Sequence, residues 1–145
     1  MADGGQMREI LLQGGADEAF DRSVIFARRL AESFGARLHV VYTISDPLSA
    51  GWTAEMSADR LPEVHQAMEA EARERLARLI PMADQDRLGV EIVLRTGPPV
   101  QEIVRYATER RIDLAIVVAH SAGGMGTDVA RALLDEAPCA VLALR

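Results

Sequence analysis

No lysine occurs in this sequence, and its sixteen basic residues are all arginine. A Walker-type phosphate lysine, a Schiff-base lysine and a lysine general base are therefore excluded. Cysteine is reduced to one residue, Cys139, so no internal disulfide can form. The default expectation is a cytoplasmic protein whose single thiol is a small buried hydrophobe. Positive charge is in short supply: the net charge is −6 and the pI about 5.1, which excludes a clustered basic surface for nucleic acid. No apolar run approaches the length of a membrane span, and the opening "MADGGQMREI" carries no secretory pattern. The three histidines, His39, His65 and His120, stand apart from one another and from Cys139, so no metal site is expected.

What is present is the composition of a soluble globular protein, 49% hydrophobic and 26% charged. A chain of 145 residues fits one domain that buries roughly 70% of its unfolded surface. The first seven residues read as a flexible arm. "REILLQ" (8–13) reads as a buried strand ending at Gly14-Gly15. Phe20, Val24, Ala27, Ala31 and Phe34 then recur on one helical face, with Gly35 as the stop. "RLHVVYTI" (37–44) is a second strand, and 45–60, with Pro47, Gly51 and Trp52, reads as a long loop. Pro62 suits the first turn of a second helix with Val64, Met68, Ala72, Leu76 and Leu79 as its stripe.

A third strand (90–95) leads through "TGPPV" to a helix that faces the core with Val100, Ile103, Val104 and Ala107. "DLAIVVA" is the most buried strand. Thr127 or Asp128 caps a fourth helix, and "CAVLALR" (139–145) is the last strand. Paired arginines, Arg28-Arg29 and Arg110-Arg111, read as solvated helix faces. Strand and helix alternate throughout, which implies a parallel sheet with helices on both faces.

The stretch "AHSAGGMGT" after the fourth strand allows three readings: a serine elbow, a phosphate cradle, or a plain connection. The elbow fits locally, since Ser121 follows a buried strand. Only 24 residues follow Ser121, however, and no histidine lies among them, so the base of the usual chain order is missing. His120 is adjacent on the chain and poorly placed to take the proton. An esterase using Ser121 is the least favoured reading.

From "ILL" at Ile10 to Leu12, through "FARRLAESFGARLHVVY" (26–42) and "TGPPVQEIVRYATERRIDLAIVVAH" (96–120), to "APCAVLALR" (137–145), the chain resembles the universal stress protein family. The resemblance implies a doubly wound five-stranded parallel sheet in the order 3-2-1-4-5, with a ligand crevice where the order reverses between the first and fourth strands. It also implies a homodimer through strand 139–145, which lies at a sheet edge without charge, proline or bulge between Ala140 and Leu144.

ATP-binding members of that family place an aspartate just after the first strand. Their fourth-strand loop carries Gly, two residues, Gly, nine residues, then Gly-Ser or Gly-Thr. Here the aspartate position is Gly15, with Asp17 the nearest substitute, and Val118 and Ser121 occupy the first two glycine positions. The loop is shorter by about four residues, and Asp128 adds negative charge near the phosphate position. The expectation is a binding or signalling module of the stress response without normal ATP binding, no catalytic residues and no required cofactor. The alternative is a degenerate nucleotide or anion site, for ATP or AMP, built from Gly14, Gly15, His120, Ser121, Gly123, Gly124, Gly126 and Thr127.

Overall fold

The computed structural model describes residues 6–48, 51–119 and 125–145, with side chains from residue 128 in the last segment. Five parallel strands, β1 (Glu9–Gln13), β2 (Arg37–Ile44), β3 (Glu91–Thr96), β4 (Leu114–Val118) and β5 (Ala140–Leu144), form one sheet in the order β3-β2-β1-β4-β5. Side chains alternate across it, and the alternation separates two cores. Ile10, Leu12, Leu38, Val40, Leu114 and Ile116 pack on one face with α1 (Glu18–Phe34), α2 (Ala54–Leu79) and α3 (Met82–Leu88). Leu11, Val41, Ala115 and Val117 pack on the other with α4 (Pro99–Glu109) and α5 (Met125–Glu136).

Local chemistry sets most of the boundaries. α1 starts at Asp17, whose carboxylate accepts from the Phe20 N–H at 2.9 Å, and stops at Gly35 in the left-handed region, φ 65°. Its expected stripe is buried except for Phe34, which is 52% exposed at the helix end. In α4, Ile103 and Ala107 are buried as expected, and Glu102 and Tyr106 join them.

Several expectations are corrected. The 45–60 segment is not a long loop: α2 begins at Ala54, capped by the Thr53 hydroxyl on the Met56 N–H at 3.1 Å. Pro62 therefore lies inside the helix, on an exposed position, rather than in its first turn. A short helix, α3, follows Pro81 and ends at Gly89 in the left-handed region, φ 58°. α5 starts at Met125, so Thr127 and Asp128 are first-turn residues and not its cap. Met7 packs against the core, so the arm is not wholly free.

Nor are the arginine pairs simply solvated. Arg28 joins α1 to Asp84 of α3 at 2.7 Å, and Arg110 joins α4 to Glu91 of β3 at 3.0 Å. Asp113, just before β4, accepts from the backbone N–H groups of Arg8 and Glu9 at 2.8 and 2.9 Å, which fixes β4 beside the start of β1.

Candidate functional site

At the carboxyl ends of β1 and β2 the chain turns sharply through Gly14 and Gly15. The Gly14 N–H donates to the Val41 carbonyl at 2.7 Å, and the Tyr42 ring lies across the glycine. A Cβ on Gly14 would stand 2.5 to 2.8 Å from three atoms of that ring. A Cβ on Gly15 would stand 3.0 Å from the Cβ of Phe20. Phe20 and Tyr42 pack with their centroids 6.1 Å apart, so both glycines are held against an aromatic pair. Asp17, the nearest carboxylate, is engaged as the cap of α1.

Between β1 and β4, pairing runs only as far as Leu12 opposite Ile116. Beyond it the Gln13 side chain crosses the gap, its Oε1 accepting from the Val118 N–H at 3.3 Å. The point where a doubly wound sheet normally opens a crevice is thus bridged by a side chain.

The open space lies beside it, between β2 and α2. This cleft of about 240 Å³ is floored by Gly14, Gly15 and Tyr42 and walled by Met68, Glu71, Ala72 and Arg75 of α2. Arg75 is clamped by Asp21, Nε to Oδ1 at 2.7 Å and Nη2 to Oδ2 at 3.0 Å, and this hydrogen-bonded pairing raises its pKa further. Burial pushes the Tyr42 phenol up to about 12, so it stays a neutral hydroxyl, lying 3.4 Å from the Gly15 carbonyl to which it donates. Glu71 has no hydrogen-bond or ion-pair partner among the described residues.

A wider groove of about 660 Å³ lies at the opposite end of the sheet, near Arg8, Phe34, Arg37 and Arg87. It collects the amino ends of β1 and β2 and the carboxyl ends of α1 and α3. Ligands of open α/β sheets bind at the carboxyl ends of the strands, where helix N-termini point, so the smaller cleft is the candidate.

Of the residues singled out in the sequence, Gly14 and Gly15 line this cleft. His120, Ser121, Gly123 and Gly124 lie outside the described residues, and Gly126 and Thr127 fall in the first turn of α5. His39 is fully buried on the α4 side, between the Tyr106 hydroxyl at 2.7 Å and the Glu9 carboxylate at 2.9 Å. His65 is half-buried, with Nε2 3.0 Å from the Thr96 hydroxyl. Among the described residues no group of three His, Cys, Asp or Glu could hold a metal ion, and no helix is long and apolar enough to cross a membrane. Glu71 and Arg75 are residues that the sequence reading missed. Their i,i+4 spacing beside the Met68–Ala72 stripe was the available signal.

An open parallel sheet with two helical layers and a cleft at its carboxyl edge defines the class: a doubly wound α/β binding fold. Within that class the chain belongs to the universal stress protein family, whose model matches residues 8–145. Universal stress protein MJ0531 of Methanocaldococcus jannaschii is 26% identical over 125 residues, covering 82% of this chain and 71% of its own. Among solved structures, universal stress protein UspA from Lactobacillus plantarum superposes with a TM-score of 0.77 at 20% identity, over 97% of this chain and 99% of that one. A universal stress protein in complex with cAMP superposes with a TM-score of 0.65 at 18% identity, over 97% and 98% of the two chains.

Proposed function

We propose that this protein is a homodimeric binding module of the stress response that does not bind ATP in the manner of its ATP-binding relatives. One observation carries the reading: the turn after β1 is packed shut. Gly14 lies under the Tyr42 ring and Gly15 against Phe20, so a Cβ would clash with the ring at position 14 and crowd Phe20 at position 15, where ATP-binding members carry an aspartate. Asp17, the nearest substitute, is engaged in capping α1. Gln13 bridges β1 and β4 where a nucleotide would need open backbone.

The cAMP complex of a structural neighbour favours keeping nucleoside-type ligands as the chemistry to test at this edge of the sheet. A shortened loop at 120–127 would serve an anion or a monophosphate before a triphosphate, because fewer backbone N–H groups are available to wrap it. Ester hydrolysis is not expected, since no histidine follows Ser121.

Calorimetric titration with ATP and AMP, with and without magnesium, tests the reading. The expected dissociation constant for ATP is no tighter than about 100 μM, roughly −5.5 kcal/mol. Low-micromolar ATP binding would overturn it.

A further inference from the structure

Two helices on opposite faces of the sheet carry outward faces that match each other. On α1, Arg22, Ile25, Phe26 and Arg29 fall at i, i+3, i+4 and i+7, and all four are exposed. Ile25 and Phe26, 45% and 40% exposed, form an apolar patch between two arginines that have no hydrogen-bond or ion-pair partner among the described residues. Arg28, on the side of the helix, is by contrast committed to Glu32 and Asp84. On α5, Asp128 and Asp135 stand at the same i, i+7 spacing, exposed and likewise without a partner among the described residues. Arg131 lies between them, and Leu134, 59% exposed, lies beside them. Seven residues of helix rise about 10.5 Å, so the two guanidinium groups and the two carboxylates are set the same distance apart.

The two faces cannot meet within one chain, because α1 packs on one core and α5 on the other, with the sheet between them. Nor does either face suit its own copy: antiparallel pairing about a two-fold axis would set Arg22 against Arg29, or Asp128 against Asp135. We propose that α1 of one copy docks on α5 of a second copy, with Arg22 and Arg29 pairing with Asp128 and Asp135. Ile25 and Phe26 pack against Leu134 and the aliphatic stem of Arg131, whose guanidinium meets the Phe26 ring instead of a like charge. The contact joins two different patches, so it extends an assembly rather than closing a dimer, and it is independent of pairing through β5. Its apolar centre is small and its charges are exposed. It therefore forms well above micromolar concentration and is dissolved by salt.

Sedimentation of the full chain from about 10 μM to 1 mM provides the test. At low salt the average mass rises across this range, and about 0.5 M salt removes the rise. Arg22→Glu with Arg29→Glu makes the α1 face acidic, and Asp128→Arg with Asp135→Arg makes the α5 face basic. Each double variant by itself associates about tenfold more weakly than the wild type. An equimolar mixture of the two regains the rise, since the acidic α1 of the first meets the basic α5 of the second, and its acidic α5 meets the basic α1. Both variants keep a net negative charge, so bulk attraction does not bring them together. A misfolded variant would not restore the contact. A mass that stays constant with concentration, a rise indifferent to salt or to both variants, or a mixture that fails to regain it would each overturn the proposal. A monomer at micromolar concentration that still shows the salt-sensitive rise would instead defeat pairing through β5 and leave this contact standing.

Discussion

Gly14 illustrates how one residue's role depends on what stands above it. In the sequence, a Gly-Gly pair after a strand reads equally as a phosphate cradle or a tight turn. In the fold its backbone does not need the left-handed region, and the requirement is steric: the Tyr42 ring lies 2.5 Å from where a Cβ would be. An aromatic ring held by Phe20 on one side cannot yield as a flexible side chain would. Gly14→Ala should therefore lower stability by about 1–3 kcal/mol, seen as a lower urea midpoint at unchanged slope. In a Tyr42→Leu background the penalty should shrink, and a double-mutant cycle measures the coupling. An alanine variant as stable as the wild type would show that the cleft floor moves freely.

At the scale of elements, β5 carries the consequence of the strand order. It pairs with β4 on one side only, and none of its residues is fully buried. Leu142 and Leu144 pack partly against one core and Val141 against the other. Its outer backbone edge lacks the charge, proline or bulge that normally protects such an edge, which supports pairing with a second copy. Light scattering at micromolar concentration should give a dimer. Leu142→Pro, which removes a backbone donor, should weaken the dimer more than Leu142→Ala. A monomeric wild type, or a dimer indifferent to proline, would place the contact elsewhere. α2 shows the opposite case, an element whose start the sequence obscures. Pro62 invites a boundary, yet the Thr53 cap and the stripe through Ala72 and Leu76 carry the helix past it.

For the whole molecule, the absence of lysine gives alkaline pH an unusually simple meaning. Between about pH 10 and 12 no lysine titrates, and the two tyrosines are the side chains whose ionisation falls in that window. Burial pushes both Tyr42 and Tyr106 up to about 12, so the folded chain keeps two protons that the unfolded chain loses near 10. The unfolded state then binds fewer protons, and stability falls as pH rises from about 10 towards 12. Burial raises the Cys139 thiol as well, and Cys139→Ser removes that titration from the profile. Urea midpoints measured across this range should decline in the Cys139→Ser protein. They should decline less steeply when Tyr106→Phe is added. A flat profile, or native tyrosines ionising at their ordinary pH, would contradict the buried-phenol account.

Periodicity was enough, from the sequence alone, to place the five strands, most of the apolar stripes of α1, α2 and α4, and the stop at Gly35, because these depend on residues within a few turns of one another, whereas the start of α2, the short α3 and the start of α5 were not legible there. The strand order came from family resemblance, and the sheet has it. Only the tertiary structure decided what depends on residues distant along the chain. It put Tyr42 over Gly14, Asp21 on Arg75 and Gln13 across to Val118, and it buried His39 between Glu9 and Tyr106. Each pair joins side chains or backbone from separate elements. The partner of a glycine or a carboxylate, and hence its role, is fixed by packing across the sheet rather than by its neighbours in sequence.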